Sequence, residues 1–258
     1  EGLNMENNTD THYTMKSEAS MKALEYALEK SLLQDGMIVG LGTGSTAEIL
    51  LKLLAGKVKD GLLIKGVPTS VRTRETAQQL GIPLIGLDEA VYEKGWIDIT
   101  FDGADEIDPK LCLIKGKGGA LLREKVIASL SKYMFVVADE TKEVKSLGKG
   151  TALPVEVDSF CLPAVFKSIE KMGGKPAIRK KLNMEKSGTA EEDYLTDGGN
   201  KILDVVFESI PNPYLLDKEL KSLVGVIETG LFVNLCSDAF IGTESGVIHR
   251  QRKHMFIS

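Results

Sequence analysis

Four stretches of this chain gather residue types that can do chemistry. GLGTGSTAEIL (40–50) places glycines and the hydroxyls of Thr43, Ser45 and Thr46 between an apolar run and an amphipathic one. At such a strand-to-helix turn the free N–H groups and the helix dipole attract an anion, and phosphate is the natural guest. Gly42-x-Gly44-x-x-Ala47 also fits a loose dinucleotide fingerprint. The next strand, however, ends in Pro68-Thr69-Ser70, where an acidic residue should meet a ribose, so a lone phosphomonoester fits better. No Gly-Lys pair is followed by Ser or Thr, which excludes the Walker pattern. A tight turn with a Ser/Thr cap is the bland alternative.

DGADEID (102–108) packs Asp102, Asp105, Glu106 and Asp108 into seven residues. Crowded like charges are costly unless water screens them or chemistry uses them. The alternation Ile97, Ile99, Phe101 brings Asp102 to the C-terminal end of a strand, the edge that carries ligands in open α/β sheets. The spacing of three does not match a calcium loop. A solvated turn, a magnesium loop and a catalytic site stay open on this stretch alone.

KGKGGALLREK (115–125) follows another apolar run and sets Lys115 at a strand end, with Glu124 in the segment beyond. ADETK (138–142) delivers Lys142 to the same rim. A cation and a carboxylate beside an acidic loop make an acid–base set, although each residue taken singly reads as a surface charge. His12, His249 and His254 all lie in the terminal segments, which argues against a histidine-based triad; HRQRKH reads as a solvated basic tail.

The elements that must position these groups follow from periodicity. Residues 1–15 are polar and aperiodic and read as a flexible N-terminal segment. Met21, Leu24, Leu28 and Leu32 predict a helix ending near Asp35-Gly36. Strands are predicted at MIVGL, LLIKGV, PLIGL, WIDITF and MFVVAD, alternating with helices, which argues for a mainly parallel, Rossmann-like α/β sheet over 16–147 and 224–258. Between them, over 148–223, the order strand, helix, strand, strand, helix, strand predicts a smaller ferredoxin-like α+β domain. EKSGTAEEDYLTDGGN reads as an exposed hairpin or loop inside it.

Composition narrows the class. The 258 residues are 43% hydrophobic, enough for a sizeable core, and 32 basic against 37 acidic residues give a net charge of −5 with no basic field for nucleic acid or an anionic membrane. No apolar run approaches the roughly 18 residues of a membrane span. Cys112, Cys161 and Cys236 are far apart and lack CxxC spacing, which argues against a zinc site or disulfide framework and for a cytoplasmic location.

GLGTGST, DGADEID, KGKGGALLREK and ADETK stand here in one order. Together they resemble ribose-5-phosphate isomerase of the A type; TDGGNKILDV (196–205) and ETGLFVN (228–234) extend the likeness, which covers essentially everything after residue 16. The resemblance implies interconversion of D-ribose 5-phosphate and D-ribulose 5-phosphate without metal or other cofactor, by a homodimer or homotetramer. It assigns phosphate to Thr43, Gly44, Ser45 and Thr46 with Lys22, and sugar hydroxyls and ring opening to Asp102 and Asp105 with Gly103 and Ala104 between them. Lys115 matches the lysine beside the developing oxyanion and Glu124 the proton-transferring base. Gly116, Lys117, Gly118 and Lys142 complete the substrate contacts, with Lys117 standing where many members have glycine. Two other readings are weaker. An aminosugar-phosphate deaminase usually needs a histidine near the site, and a non-catalytic sugar-phosphate sensor usually carries a DNA-binding module.

Overall fold

The computed structural model describes residues 2–181 and 192–252, with side chains from residue 11 onward. In chain order the elements are α1 (Gly2–Glu29), β1 (Met37–Leu41), α2 (Ser45–Lys59), β2 (Ile64–Pro68), α3 (Val71–Gln79), α4 (Leu87–Lys94), β3 (Ile97–Gly103), β4 (Glu106–Ile107), β5 (Leu113–Ile114), α5 (Leu121–Leu130) and β6 (Ser131–Asp139). There follow β7 (Leu153–Val157), α6 (Leu162–Lys171), β8 (Lys175–Ile178), β9 (Lys201–Val206), α7 (Pro213–Lys221), β10 (Val226–Thr229), β11 (Leu231–Phe232), β12 (Asp238–Thr243) and β13 (Gly246–Gln251). No described helix is long and apolar enough to cross a membrane.

The fold is α/β. Its main sheet runs β13-β12-β6-β3-β1-β2, parallel throughout except for the antiparallel edge strand β13. From β1 the chain steps through α2 to β2 on one side, and later returns to β3 on the other. The loops after β1 and β3 therefore flank a topological switch point, where open α/β sheets form a ligand crevice. These are the loops holding GTGST and DGADEID. Strand β1 ends in Gly40-Leu41 and α2 begins at Ser45 because Gly44 takes φ +108°, a left-handed turn that frees the helix to start.

The second sheet, β10-β7-β9-β8, is wholly antiparallel. With α6 and α7 joining the strands it has the split βαβ order expected for a ferredoxin-like unit. Val155, Val157, Leu203 and Val205 from the strands meet Val165 and Ile169 of α6 and Leu220 of α7 in one core. A short antiparallel ribbon, β11-β5-β4, forms a third sheet.

Four expectations need correction. The N-terminal segment is helical: α1 spans it, and from Met15 its inner face is buried, with Ala19, Ala23 and Ala27 at 0% exposure. Small side chains at four-residue spacing let the helix lie close on the sheet, a stripe that apolar counting over larger residues overlooks. PLIGL forms only a bridge from Leu84 to Gly66. The last strand expected of the small domain, GVIETGLF (225–232), is divided at Gly230 between β10 and β11, so the small sheet extends past residue 223 to Thr229. The basic tail is a strand over its first half: His249 stacks on Phe240 at 4.2 Å and contacts Asp238 at 2.8 Å. His254 and the first part of the expected hairpin, 185–191, lie outside the described residues.

Candidate active site

A cavity of about 350 Å³ opens at the switch point. Ser45 and Thr46, in the first turn of α2, line one end together with Thr43 and Gly44. The Thr43 hydroxyl is already engaged with Thr69 and Ser70, both at 2.8 Å, and with Thr73 at 3.0 Å. Thr43 thus ties the loop to the start of α3, while Ser45 and Thr46 bring the hydroxyls of the first helical turn to the cavity wall. Beneath the loop, a Cβ on Gly42 would lie 2.3 Å from Asp102 Oδ1, so glycine is what lets the loop rest on that carboxylate.

The opposite end is built from β3, β5 and α5. Lys115 leaves β5 beside β11: its N–H donates to Gly230 O at 2.9 Å, and a Cβ on Gly230 would lie 2.3 Å from Lys115 O. Lys115 Nζ donates to Gly103 O at 2.7 Å, and stands 2.9 Å from Asp102 Oδ2 and 3.4 Å from Glu124 Oε2. Phe232 flanks the ammonium, its ring centre 5.4 Å away. Glu124 enters from the first turn of α5. All three charged side chains are at most 3% exposed.

Two carboxylates sharing one ammonium away from water cannot both ionise cheaply. Burial, with Asp102 and Asp105 adding repulsion, pushes the Glu124 carboxyl up to about 8 against the opposing pull of Lys115. Burial also raises Asp102. For Lys115 burial acts downward, but Asp102 and Glu124 outweigh it and the ammonium is held above its ordinary range. Lys115 is a fixed cation, and Glu124 is a carboxyl poised near neutrality.

Asp102 and Asp105 are placed differently. Asp102 does not line the cavity; it lies behind Lys115, and its Oδ1 accepts from Gly103 N at 2.8 Å and Thr43 N at 3.2 Å. Strand β3 is buried on both faces, and at its C-terminal end Asp102 supports the lysine and the loop through these contacts. Asp105 does line the cavity with Gly103 and Ala104, and accepts from Lys117 N at 2.9 Å. Gly116, Lys117, Gly118 and Lys142 form the remaining wall.

Lys22 is exposed and off the cavity wall, whereas Lys16 lines it, 3.4 Å from Asp139. The helix is the reason: six residues add about 9 Å and turn the side chain to a different face. The acidic stretch does not converge on one point. Glu106 accepts from the amides of Gly148, Gly150 and Thr151, and Asp108 from those of Lys110 and Cys112. Among the described residues no three of His, Cys, Asp and Glu group to hold a metal ion.

The TDGGN and ETGLF stretches work from the small domain and the ribbon. Thr196 and Asn200 both donate to buried Glu156 at 2.9 Å, holding a turn whose Asp197 reaches Val71 N at 2.9 Å and Arg123 at 3.0 Å. Glu228 pairs with Lys125, next to Glu124, at 2.7 Å. Neither role is visible locally, because each partner is distant in sequence.

Fold and cavity together define an α/β enzyme of the acid–base type. The family model for ribose 5-phosphate isomerase A (phosphoriboisomerase A) matches residues 65–246. A ribose-5-phosphate isomerase A from Agrobacterium fabrum (strain C58 / ATCC 33970) is 47% identical over 226 residues, covering 88% of this chain and 94% of that protein. A solved D-ribose-5-phosphate isomerase in complex with phospho-erythronic acid superposes with a TM-score of 0.85 at 35% identity, covering 93% and 99% of the two chains. The ribose 5-phosphate isomerase A of Methanocaldococcus jannaschii gives 0.81, again at 35% identity, over 92% and 98%. The chain belongs to the ribose 5-phosphate isomerase A family.

Proposed function

We infer that this protein interconverts D-ribose 5-phosphate and D-ribulose 5-phosphate, in the non-oxidative branch of the pentose phosphate pathway. The observation that carries this reading is the dry Glu124–Lys115–Asp102 cluster on the same cavity as the N-terminus of α2. With the phosphate at Ser45 and Thr46, Lys16 and Lys142 add positive charge. Glu124, as carboxylate, takes the C2 proton of the open-chain aldose while a C1–C2 double bond forms and charge moves onto O1. Lys115 stabilises that oxygen electrostatically and keeps its own proton. The O2 proton passes to O1, the carbonyl re-forms at C2, and Glu124 returns its proton to C1. Asp105 faces the sugar hydroxyls, and Asp102 holds Lys115 in place. That a relative was solved with phospho-erythronic acid, a phosphorylated open-chain sugar acid, supports an open-chain substrate in such a cavity.

No metal has a part in this scheme, since Lys115 supplies the charge a metal would bring. The same reading carries a cytoplasmic location and a homodimer or homotetramer, supported by the family; light scattering on the purified protein decides the assembly. The test of function is a coupled assay with ribose 5-phosphate, with and without exhaustive chelation by EDTA. Turnover unchanged by EDTA is expected. Activity that vanishes with EDTA and returns with magnesium overturns the role of Lys115.

A further inference from the structure

The loop leading Lys115 into α5 is gripped from the small domain by one guanidinium. Arg179, just after β8, donates through Nε to Asp204 Oδ2 at 2.8 Å and through Nη2 to Asp204 Oδ1 at 2.5 Å. This two-point contact with β9 fixes the plane of the fork. The remaining nitrogen, Nη1, donates to Gly116 O at 2.9 Å and Lys117 O at 3.1 Å.

The Gly116 carbonyl and the Lys117 N–H are the two ends of a single peptide group. Arg179 holds its oxygen, and Asp105 accepts from its N–H at 2.9 Å. Gly116 sits at φ +104°, which glycine adopts without steric cost, so on its side no side chain fixes the orientation of the peptide that follows. Flipping would turn a carbonyl oxygen toward the Asp105 carboxylate and remove its amide. The cation on one side and the anion on the other select the orientation and polarise the group between them.

We propose that Arg179 is a positioning residue for the isomerisation: through the Gly116–Lys117 peptide it orients Asp105 on the cavity wall. The inference rests on the reading of Asp105 as a substrate-facing group. It makes turnover depend on the small domain, although Arg179 does not itself line the cavity.

The test is steady-state kinetics with ribose 5-phosphate, together with thermal melts, for Arg179→Gln, Arg179→Lys, Asp204→Asn, Asp105→Asn and the double variant Arg179→Gln/Asp105→Asn. For Arg179→Gln, kcat falls by on the order of 10²-fold, the scale of a displaced catalytic wall. KM stays within about threefold, as for a loss felt in the transition state only. Lys, a point charge without the fork, does not restore kcat, and Asp204→Asn gives a smaller loss in the same direction. The double variant is no slower than Asp105→Asn alone, because the two act in series. An unchanged kcat, rescue by Lys, or additive losses overturns the proposal. Should Arg179→Gln fail to fold, Asp204→Asn and its double with Asp105→Asn serve in its place: a lower kcat with KM little changed and no added loss in the double is expected, and an unchanged kcat or additive losses overturn the proposal. If Asp105→Asn itself leaves kcat unchanged, the reading of the site fails; if Asp105→Asn is slow and Arg179→Gln is not, only this inference fails.

Discussion

Glu124 and Lys115 face each other across 3.4 Å with both side chains 3% exposed, so the proposed base and the proposed oxyanion cation share one dry space. Glu124→Gln keeps the shape and removes proton transfer. Its kcat should fall by about 10²–10⁴-fold or more, the usual loss for a missing general base, while KM moves by several-fold at most. Steady-state assays check this; near wild-type turnover sinks the assignment.

A second expectation concerns pH. Glu124 acts as carboxylate, and its folded carboxyl lies at about 8 against an ordinary 4.5. Below about pH 8, kcat/KM should rise about tenfold per unit, and then level off. Stability runs the other way. Between 4.5 and about 8 the folded state binds the extra proton, so the contribution of Glu124 is fully present below 4.5 and is lost as pH rises through about 8. In Glu124→Gln melts this part of the pH dependence should disappear, and a profile unchanged by the substitution would contradict the assignment.

The phosphate end separates residues that look alike in sequence. Ser45→Ala, Thr46→Ala and Lys16→Ala should each raise KM for ribose 5-phosphate, by about 1–3 kcal/mol in binding for a lost charge-assisted hydrogen bond, with kcat little changed. Lys22→Ala should leave KM unchanged, since Lys22 is off the cavity wall. A larger KM effect for Lys22 than for Lys16 would reverse the assignment.

Gly230 offers a test of packing. Alanine there would bring its Cβ within 2.3 Å of Lys115 O and 2.9 Å of the Pro154 ring, neither of which can swing aside. Gly230→Ala should destabilise by about 1–3 kcal/mol in urea unfolding, as overpacking does, and lower kcat by displacing Lys115. Wild-type stability and rate together would show that the β11 ribbon does not hold the lysine.

What the sequence made legible was what local spacing encodes. Asp102 at a strand end and Lys115 after LCLI follow from period and breakers, and the motif order supplied the roles; Glu124 was expected deeper in the following segment than the first turn of α5 where it stands. Period does not tell what a buried strand end faces: Asp102 lies 2.9 Å from Lys115 Nζ and off the cavity wall, while Asp105 is on it. Lys16 looked like any helix-start lysine, because its neighbour Asp139 comes from the end of β6. Arg179, inside the basic run of KPAIRKK, gave no local sign of the loop it holds. In each case the deciding partner is far away in the chain, where periodicity carries no information.

The contact between Met15 and Gly242 has a bearing on how the molecule is made. A Cβ on Gly242 would lie 2.1 Å from Met15 O, so α1 rests directly on β12, a strand near the other end of the chain. On the ribosome, Ala19, Ala23 and Ala27 emerge long before β12 exists to cover them. Such long-range pairing means high contact order and slow assembly, with apolar surface waiting for its partner. A nascent chain stopped before β12 already contains the acidic loop, the lysine and the base. It lacks β12, one of the strands on which α1 rests while carrying Lys16 to the cavity, so full catalytic competence should await that strand.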